Sequence, residues 1–493
     1  MKCKLRRFLF ACLASYGVLA VCSKSSFLYP MNDWVDVNCF FTVGRGILHG
    51  LVPYRDLYEQ KGPLIYFLFA LAGRISESSF LGVYLLEGLC FAFFLYLSGR
   101  IAELLSGRKS VFGLTAAALA VLIPLTPAFS HGSSAEEFFL PVLSLGLLLV
   151  LQALHHKKPL TNRQGFVLGL CTAAALWTKY TFCGLFAGLA LGVLLFYLLT
   201  GKARRLPALI GSCLLGFLSL SAAVVGWFAL KGALPDLWQA YFVNNLARYS
   251  SNIQGGHYAA PLPNLLNNLG WSVPGLLGLL FLAVRMRKNP WEALAAWAGA
   301  VCLFVFTYWN GRRYPYYALV LAVFAPLGFA ALASAAARIA GAVKAPRPVV
   351  LSAAARVLAV LLLAAGIPAG LHLSPNAWLM KVRREEMPQY QFAEIIRQSG
   401  DATLLNYGFL DGGFYFAAGV LPSEPYFCSL NIDLEEMRKA QQESLRQGKT
   451  QYVVIRGKRL KNSGAYRLVC EADQVYEGRN WHYCLYALAS PSS

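Results

Sequence analysis

The segment G-P-L-I-Y-F-L-F-A-L-A-G-R-I-S, residues 62–76, decides how this chain is threaded. It is apolar almost throughout, yet a helix needs about 20 such residues to cross a hydrocarbon core about 30 Å thick. Runs long enough to cross fall near 8–28, 79–104, 110–130, 137–154, 163–179, 181–199, 207–230, 268–285, 291–309, 314–337 and 349–372. If 62–76 stays out, the polar turns between these runs sort by charge. One side receives Lys2, Lys4, Arg6 and Arg7, then Arg100, Arg108 and Lys109, Lys157, Lys158 and Arg163, Lys202, Arg204 and Arg205, Arg285, Arg287 and Lys288, and Arg338, Lys344 and Arg347. The other side receives an acidic first loop, the turn 131–137, Lys179, the loop 231–267 and the turn 310–317. Cytoplasmic loops hold the excess of Lys and Arg, so the basic side is inside. A crossing at 62–76 would flip every later cluster. The segment therefore reads as juxtamembrane or re-entrant, with the N-terminus cytoplasmic and the C-terminus outside.

Composition agrees with a membrane chain. Hydrophobic residues make up 57% of the 493 and charged residues 14%, where soluble domains carry about 25% charged. The net charge of +20 would suit nucleic acid, but no polar segment offers a basic face with interleaved aromatics, so that class is excluded. Of twelve cysteines, seven (Cys12, Cys22, Cys90, Cys171, Cys183, Cys213, Cys302) lie in apolar runs and read as small hydrophobes. No Cys or His spacing signals a metal. Cys470 and Cys484 flank a hairpin, leaving a disulfide or a free pair open. The basic start followed by an apolar run resembles a signal peptide, and L-A-V-C (19–22) a lipobox. Val21 is too large for a lipobox, so an uncleaved first transmembrane helix is the expectation.

Beyond about residue 373 the pattern changes. Thirteen of the 24 acidic residues lie there. Periodicity predicts helices near 384–399 and 432–447 and strands at 402–406, 451–456, 466–471 and 481–488. The expected fold is an all-α polytopic membrane protein of about eleven transmembrane helices, residues 1–373, with a C-terminal soluble α/β domain, residues 374–493, outside the membrane.

The outer turns carry the chemistry. Residues 30–64, P-M-N-D-W-V-D-V-N-C-F-F-T-V-G-R-G-I-L-H-G-L-V-P-Y-R-D-L-Y-E-Q-K-G-P-L, hold three of the four aspartates in the first 373 residues: Asp33, Asp36 and Asp56. Carboxylates cost several kcal/mol near a bilayer, so their clustering invites a functional reading. Asp33 and Asp36, three apart, would share a face of a short helix, and their repulsion would suit one of them to accept a proton. Lys61, Lys179, Arg312 and Arg313 supply cations for a phosphate. Structural roles stay open: interfacial anchoring for the arginines, snorkelling for Lys179, favourable dipole placement for Glu136 and Glu137, a helix cap for Asp33. Glu87, inside a crossing, reads as a bundle-facing residue paired with a neighbour.

Several short motifs follow in order. They are Asp33-Trp34-Val35-Asp36, Leu48-His49-Gly50, Pro53-Tyr54-Arg55-Asp56, Gln60-Lys61-Gly62-Pro63-Leu64, Trp177-Thr178-Lys179 and Arg312-Arg313-Tyr314-Pro315. Their order and sidedness resemble the C-type (GT-C) polytopic glycosyltransferases, the superfamily of protein O-mannosyltransferases and lipid A aminoarabinose transferases. The resemblance covers about three quarters of the chain. It implies a catalytic first outer loop, here residues 30–78. The catalytic aspartate is carried by spacing to Asp36, with Asp33 second, because adjacent acids in the family are split here by Trp34-Val35. Lys61 would meet the donor phosphate. Candidate substrate contacts are Asp56, Lys61, Glu136, Glu137, Lys179, Arg312, Arg313 and Tyr314. A divalent metal is used by some relatives and is left open.

The implied activity transfers a sugar from a polyprenyl-phosphate carrier to a cell-surface glycan, lipid or protein, with inversion. The rival class is a transporter or flippase of lipid-linked sugars. That class would show more mid-bilayer charges and paired broken helices than this chain offers. A noncatalytic assembly or sensor protein is a third reading.

Overall fold

The computed structural model describes residues 2–248, 261–309, 311–312, 314–342, 348–457, 459–460, 464–476 and 478–489. The chain forms two compact units. The first comprises Met1–Ser23, Leu85–Val224 and Ile253–Ala377, the second Lys24–Tyr84, Val225–Asn252 and Trp378–Ser493.

Among the described residues, nine helices are long and apolar enough to cross a membrane: Cys3–Cys22, Leu81–Ser106, Ala135–His155, Tyr180–Leu199, Ala203–Leu230, Leu269–Arg287, Pro290–Tyr308, Pro315–Ala340 and Ser352–Leu373. In lipid a helix satisfies its own backbone, which is why these Leu-, Ala- and Phe-rich runs are helical. This is a multi-pass membrane protein. Two further crossings expected from sequence are shorter helices, Val111–Leu122 and Asn162–Thr178. The first stops because Pro124 and Pro127 cannot continue it. The chain after it is irregular but buried, with Ile123, Ala128 and Phe129 at most 1% exposed. There the Ala128 N–H donates to Asn268 Oδ1 at 2.9 Å. Irregular backbone at membrane depth is tolerated where protein, not lipid, surrounds it.

Packing inside the first unit relies on small residues. Gly184, Gly188 and Gly192 repeat every fourth position on the helix Cys183–Leu199. A methyl group built on Gly188 would lie 2.2 Å from the Ala298 carbonyl oxygen, and one on Gly192 2.5 Å from Ala295 Cα. The helix therefore meets Pro290–Tyr308 backbone to backbone, the small-xxx-small mode of membrane helices.

In the second unit, segment 62–76 is a 13-residue helix, Pro63–Ile75. At about 1.5 Å per residue it reaches roughly 20 Å, well short of the hydrocarbon core. It packs on the helix Val35–Leu48, where Gly44 admits the Phe69–Ala70 backbone (2.7 Å to a built methyl).

The C-terminal part holds a four-stranded sheet of β1 (Leu404–Tyr407), β2 (Tyr452–Arg456), β3 (Tyr466–Tyr476) and β4 (Arg479–Leu488) in the order β1-β2-β4-β3. β1 and β2 are parallel and the other pairs antiparallel. Leu445, on the helix Glu435–Gln447, packs on the face bearing Cys484 and Tyr486. Tyr483 meets Phe409 and Phe414, and Phe414 stacks on Phe392 of the helix Pro388–Arg397. Alternation along β4 puts these contacts on the opposite face. The expected strands and helices are present, with β3 running on to Tyr476. Cys470 and Cys484 are both free. Cys470 stands opposite Leu485, and Glu471 opposite Cys484. One residue out of register puts the two sulfurs on opposite faces, and no disulfide can form.

Candidate functional site

The site in the second unit is built on the entry to helix Val35–Leu48. Asn32 Oδ1 accepts the Trp34 N–H at 3.0 Å, and Asn38 Nδ2 donates to the Asn32 and Trp34 carbonyls, both at 2.9 Å. These bonds fix where the helix starts. Asp36 falls in the first turn, where the dipole and unpaired N–H groups favour a carboxylate. Lys61 Nζ stands 4.0 Å from Asp36 Oδ2, with both side chains 12–13% exposed. The ammonium also lies 5.8 Å above the Phe40 ring.

Asp33 behaves differently from expectation. It precedes the helix, so it does not share a face with Asp36. Its Oδ1 accepts from Lys24 Nζ at 2.6 Å, and the pair is buried. The predicted repulsion between the two aspartates is thus replaced by separate cations. Asp33 is held in a buried ion pair, and Asp36 is the more accessible acid.

Lys61 is held from three directions by its backbone neighbourhood. Tyr54 donates its hydroxyl to the Lys61 carbonyl at 2.7 Å. The Lys61 N–H donates to the Tyr66 hydroxyl oxygen at 2.9 Å and to Glu59 Oε2 at 2.8 Å. One residue earlier, Asn245 Nδ2 donates to the Gln60 carbonyl at 2.7 Å. Glu59 was not singled out in the sequence. It is fully buried, accepts a hydrogen bond from the Tyr66 hydroxyl, and has its carboxyl raised by burial against the opposing pull of the Lys61 charge. Asp36 raises it further. Two carboxyls, one ammonium and one phenol therefore converge at the helix entry. Only the position of Glu59, two residues before Lys61, hinted at this.

Asp56 does not join them. Its Oδ2 accepts the Val52 N–H at 2.8 Å, and both oxygens take Arg55 donors at 2.9 Å. Arg55 foremost holds its carboxyl below the usual range. Both oxygens of Asp56 are thus bonded within its own turn, apart from the Asp36–Lys61 pair. At the far end of the same helix, Arg45, His49, Glu77, Arg384, Tyr390 and Arg397 line a cavity of about 550 Å³. Nine residues of helix put Arg45 about 13 Å along the axis from Asp36.

The first unit gathers other predicted residues. Lys179 Nζ is 2.5 Å from Glu136 Oε1, both buried, and lies 3.5 Å from the Tyr317 ring centroid. Tyr314 in turn contacts Tyr316 and Tyr317, with centroids 5.5 Å away. Glu136, Lys179 and the tyrosine turn are therefore one cluster. Lys179 does not snorkel, and its charge is committed to Glu136. Ser134 caps the helix of Glu137, accepting its N–H at 3.0 Å. The Ser133 N–H donates to Glu137 Oε2 at 2.7 Å and to Glu87 Oε1 at 2.8 Å. Glu137 is thus buried against Glu87, the neighbour pairing expected for Glu87. Arg312 is half-buried, and Arg313 lies outside the described residues.

The donors around Asp36 do not fit a divalent cation. The carboxylate faces an ammonium, and Glu59 Oε2 serves Tyr66 and the Lys61 N–H.

The fold is that of the C-type polytopic glycosyltransferases. ArnT from Cupriavidus metallidurans, a lipid A aminoarabinose transferase, superposes in its apo state with a TM-score of 0.65 at 16% identity, covering 98% of each chain. The same protein bound to undecaprenyl phosphate superposes at 0.64 and 15% identity, covering 98% of this chain and 99% of that one. The apo oligosaccharyltransferase of Archaeoglobus fulgidus gives 0.49 at 15% identity, over 92% of this chain and 69% of that one. No protein-family model matches the chain, and no curated protein matches it in sequence.

Proposed function

We propose that the chain is a glycosyltransferase that moves a sugar from a polyprenyl phosphate to a cell-envelope acceptor, with inversion, on the outer face of the membrane. The observation that carries this is the Asp36–Lys61 pair, accessible at a helix entry and backed by a buried Glu59. Residues 30–78 would form the catalytic loop and 374–493 an outer domain. ArnT, whose fold the chain shares, has been captured with undecaprenyl phosphate, and this supports a lipid-phosphate donor.

Asp36 takes the proton of the acceptor hydroxyl as its oxygen attacks the anomeric carbon. The carbon–oxygen bond to phosphate breaks, and its electron pair leaves on the phosphate. Lys61 neutralises the charge gathering there, which is where a preorganised cation acts most strongly. The bonds from Tyr54, Tyr66 and Glu59 fix the Lys61 backbone, and Asp36 and the Phe40 ring flank the ammonium it carries.

The test uses purified variants with a polyprenyl-phosphate sugar and envelope extract, read by mass spectrometry. Asp36→Asn should lower turnover by about 10² to 10⁴ with an unchanged thermal midpoint. Lys61→Ala should weaken donor dependence far more than acceptor dependence. Asp33→Asn should instead destabilise the fold by about 3–5 kcal/mol, because Lys24 is left buried without its partner. Near-normal turnover in Asp36→Asn would remove the base from this residue.

A further inference from the structure

The outer edge of the sheet carries a constellation that the transferase reading does not use. In the β3–β4 pair, Glu471 stands opposite Cys484 and Asp473 opposite His482. Alternation puts all four side chains on one face. Glu471 Oε1 is 3.1 Å from His482 Nε2 and 3.3 Å from Cys484 Sγ. The three atoms lie within 4.8 Å of one another. His482 Nδ1 is 2.9 Å from Asp473 Oδ1.

We propose that Glu471, His482 and Cys484 form a binding site for a soft divalent cation of the zinc type, with Asp473 as the positioning residue. Three lines of chemistry converge. First, ligand bonds of 2.0–2.3 Å in a tetrahedron imply ligand separations of about 3.3–3.8 Å. The His482–Glu471 separation of 3.1 Å falls just below that range and the Cys484–Glu471 separation of 3.3 Å at its lower edge, so small rotamer adjustments close the triangle. Second, a proton on Nδ1 shared with Asp473 leaves the Nε2 lone pair facing a carboxylate oxygen. In that tautomer the Nε2 lone pair and the carboxylate oxygen, 3.1 Å apart, both point at a position that a cation can occupy in place of a proton. The His–carboxylate arrangement is the one that fixes the tautomer of metal-bound imidazole. Third, the donor set of one sulfur, one nitrogen and one oxygen selects against magnesium and calcium, which take oxygen ligands.

The site lies where the apolar face of the sheet ends. Cys484 packs with Leu405, Ile455 and Tyr486 on one side, while His482 and Glu471 are partly exposed. Arg459 is the competitor, since it donates from Nε to Glu471 Oε1 at 2.6 Å and from its terminal nitrogen to Oε2. A bound cation displaces this exposed guanidinium and ties the two strands together. Three protein ligands leave the fourth position open to water or to a group on another molecule.

Cobalt(II) added to the chelator-treated full chain is the probe, because a thiolate ligand gives a near-ultraviolet charge-transfer band. One equivalent should produce that band, and zinc should remove it. Cys484→Ser should abolish it although eleven other cysteines remain. Asp473→Asn should weaken binding by about 10- to 100-fold while keeping the band, and Arg459→Ala should tighten binding. Apo melts of each variant are taken first; if Cys484→Ser does not fold, His482→Ala with the same readouts replaces it. Absence of the band in the wild-type chain, or its survival in the ligand variant, would overturn the proposal. Equal affinity in Asp473→Asn would remove the positioning role.

Discussion

Asp411 shows how burial far along the chain sets a property of the first loop. Its Oδ2 accepts from Thr42 Oγ1 at 2.6 Å, and its Oδ1 accepts the Gly413 N–H at 2.9 Å. Burial nevertheless dominates and lifts its carboxyl from 3.8 to about 6. Between those values the folded chain holds a proton that the unfolded chain has released. The resulting stability is complete below about pH 4 and is lost as pH rises through about 6. A shift of about two units corresponds to roughly 3 kcal/mol. The thermal midpoint should therefore fall across this window in the wild-type chain and fall less in Asp411→Asn. An equal slope in both would show that other groups set it. Nothing in the sequence marked Asp411, because its environment is made by Thr42, 369 residues away. Glu59 was hidden because its burial comes from packing that its local sequence does not signal. Asp36 and Lys61 were named together because their motifs resemble those of the family, and they lie 4.0 Å apart. The pairing of Asp33 with Lys24 was not legible, because Lys24 lies inside the apolar run 8–28 and nothing local singles it out.

At the scale of elements, hydrophobic runs and strand alternation placed the long apolar helices and the four strands, but not the helix Val35–Leu48 inside the first loop, and the other errors have local causes. Pro124 and Pro127 shortened one expected crossing, and the hairpin carried β3 five residues past its expected end. What the runs could not reveal is which glycines carry contacts. Gly188 faces backbone at 2.2 Å, whereas a methyl built on Gly211, in the helix Leu206–Leu230, meets nothing within 4 Å. The same substitution should then act with opposite signs. Gly188→Ala forces two helices apart and should lower stability by about 1–3 kcal/mol. Gly211→Ala should be neutral or gain up to about 1 kcal/mol from helix propensity. Thermal melts in detergent check both, and a loss at Gly211 matching that at Gly188 would undo the packing argument.

For the whole molecule, sidedness is the property on which the transferase reading stands, and charge is what reports it. Helix Pro63–Ile75 is too short to cross, so Lys61 and Asp36 should face the side opposite the Lys and Arg clusters. Helix Val111–Leu122, at 12 residues, covers about 18 Å. It can complete a crossing only with the buried irregular chain that follows it. Reporters fused after Leu105, Ser133 and Lys158 separate the alternatives. The expected order is cytoplasmic, outside, cytoplasmic. Leu105 and Ser133 on one side would mean that 111–130 turns back within the membrane. A full reversal, with Leu105 and Lys158 outside, would make 62–76 a true crossing. The membrane would then cut the proposed catalytic loop, residues 30–78, just after Lys61, and that loop could not be one outer segment.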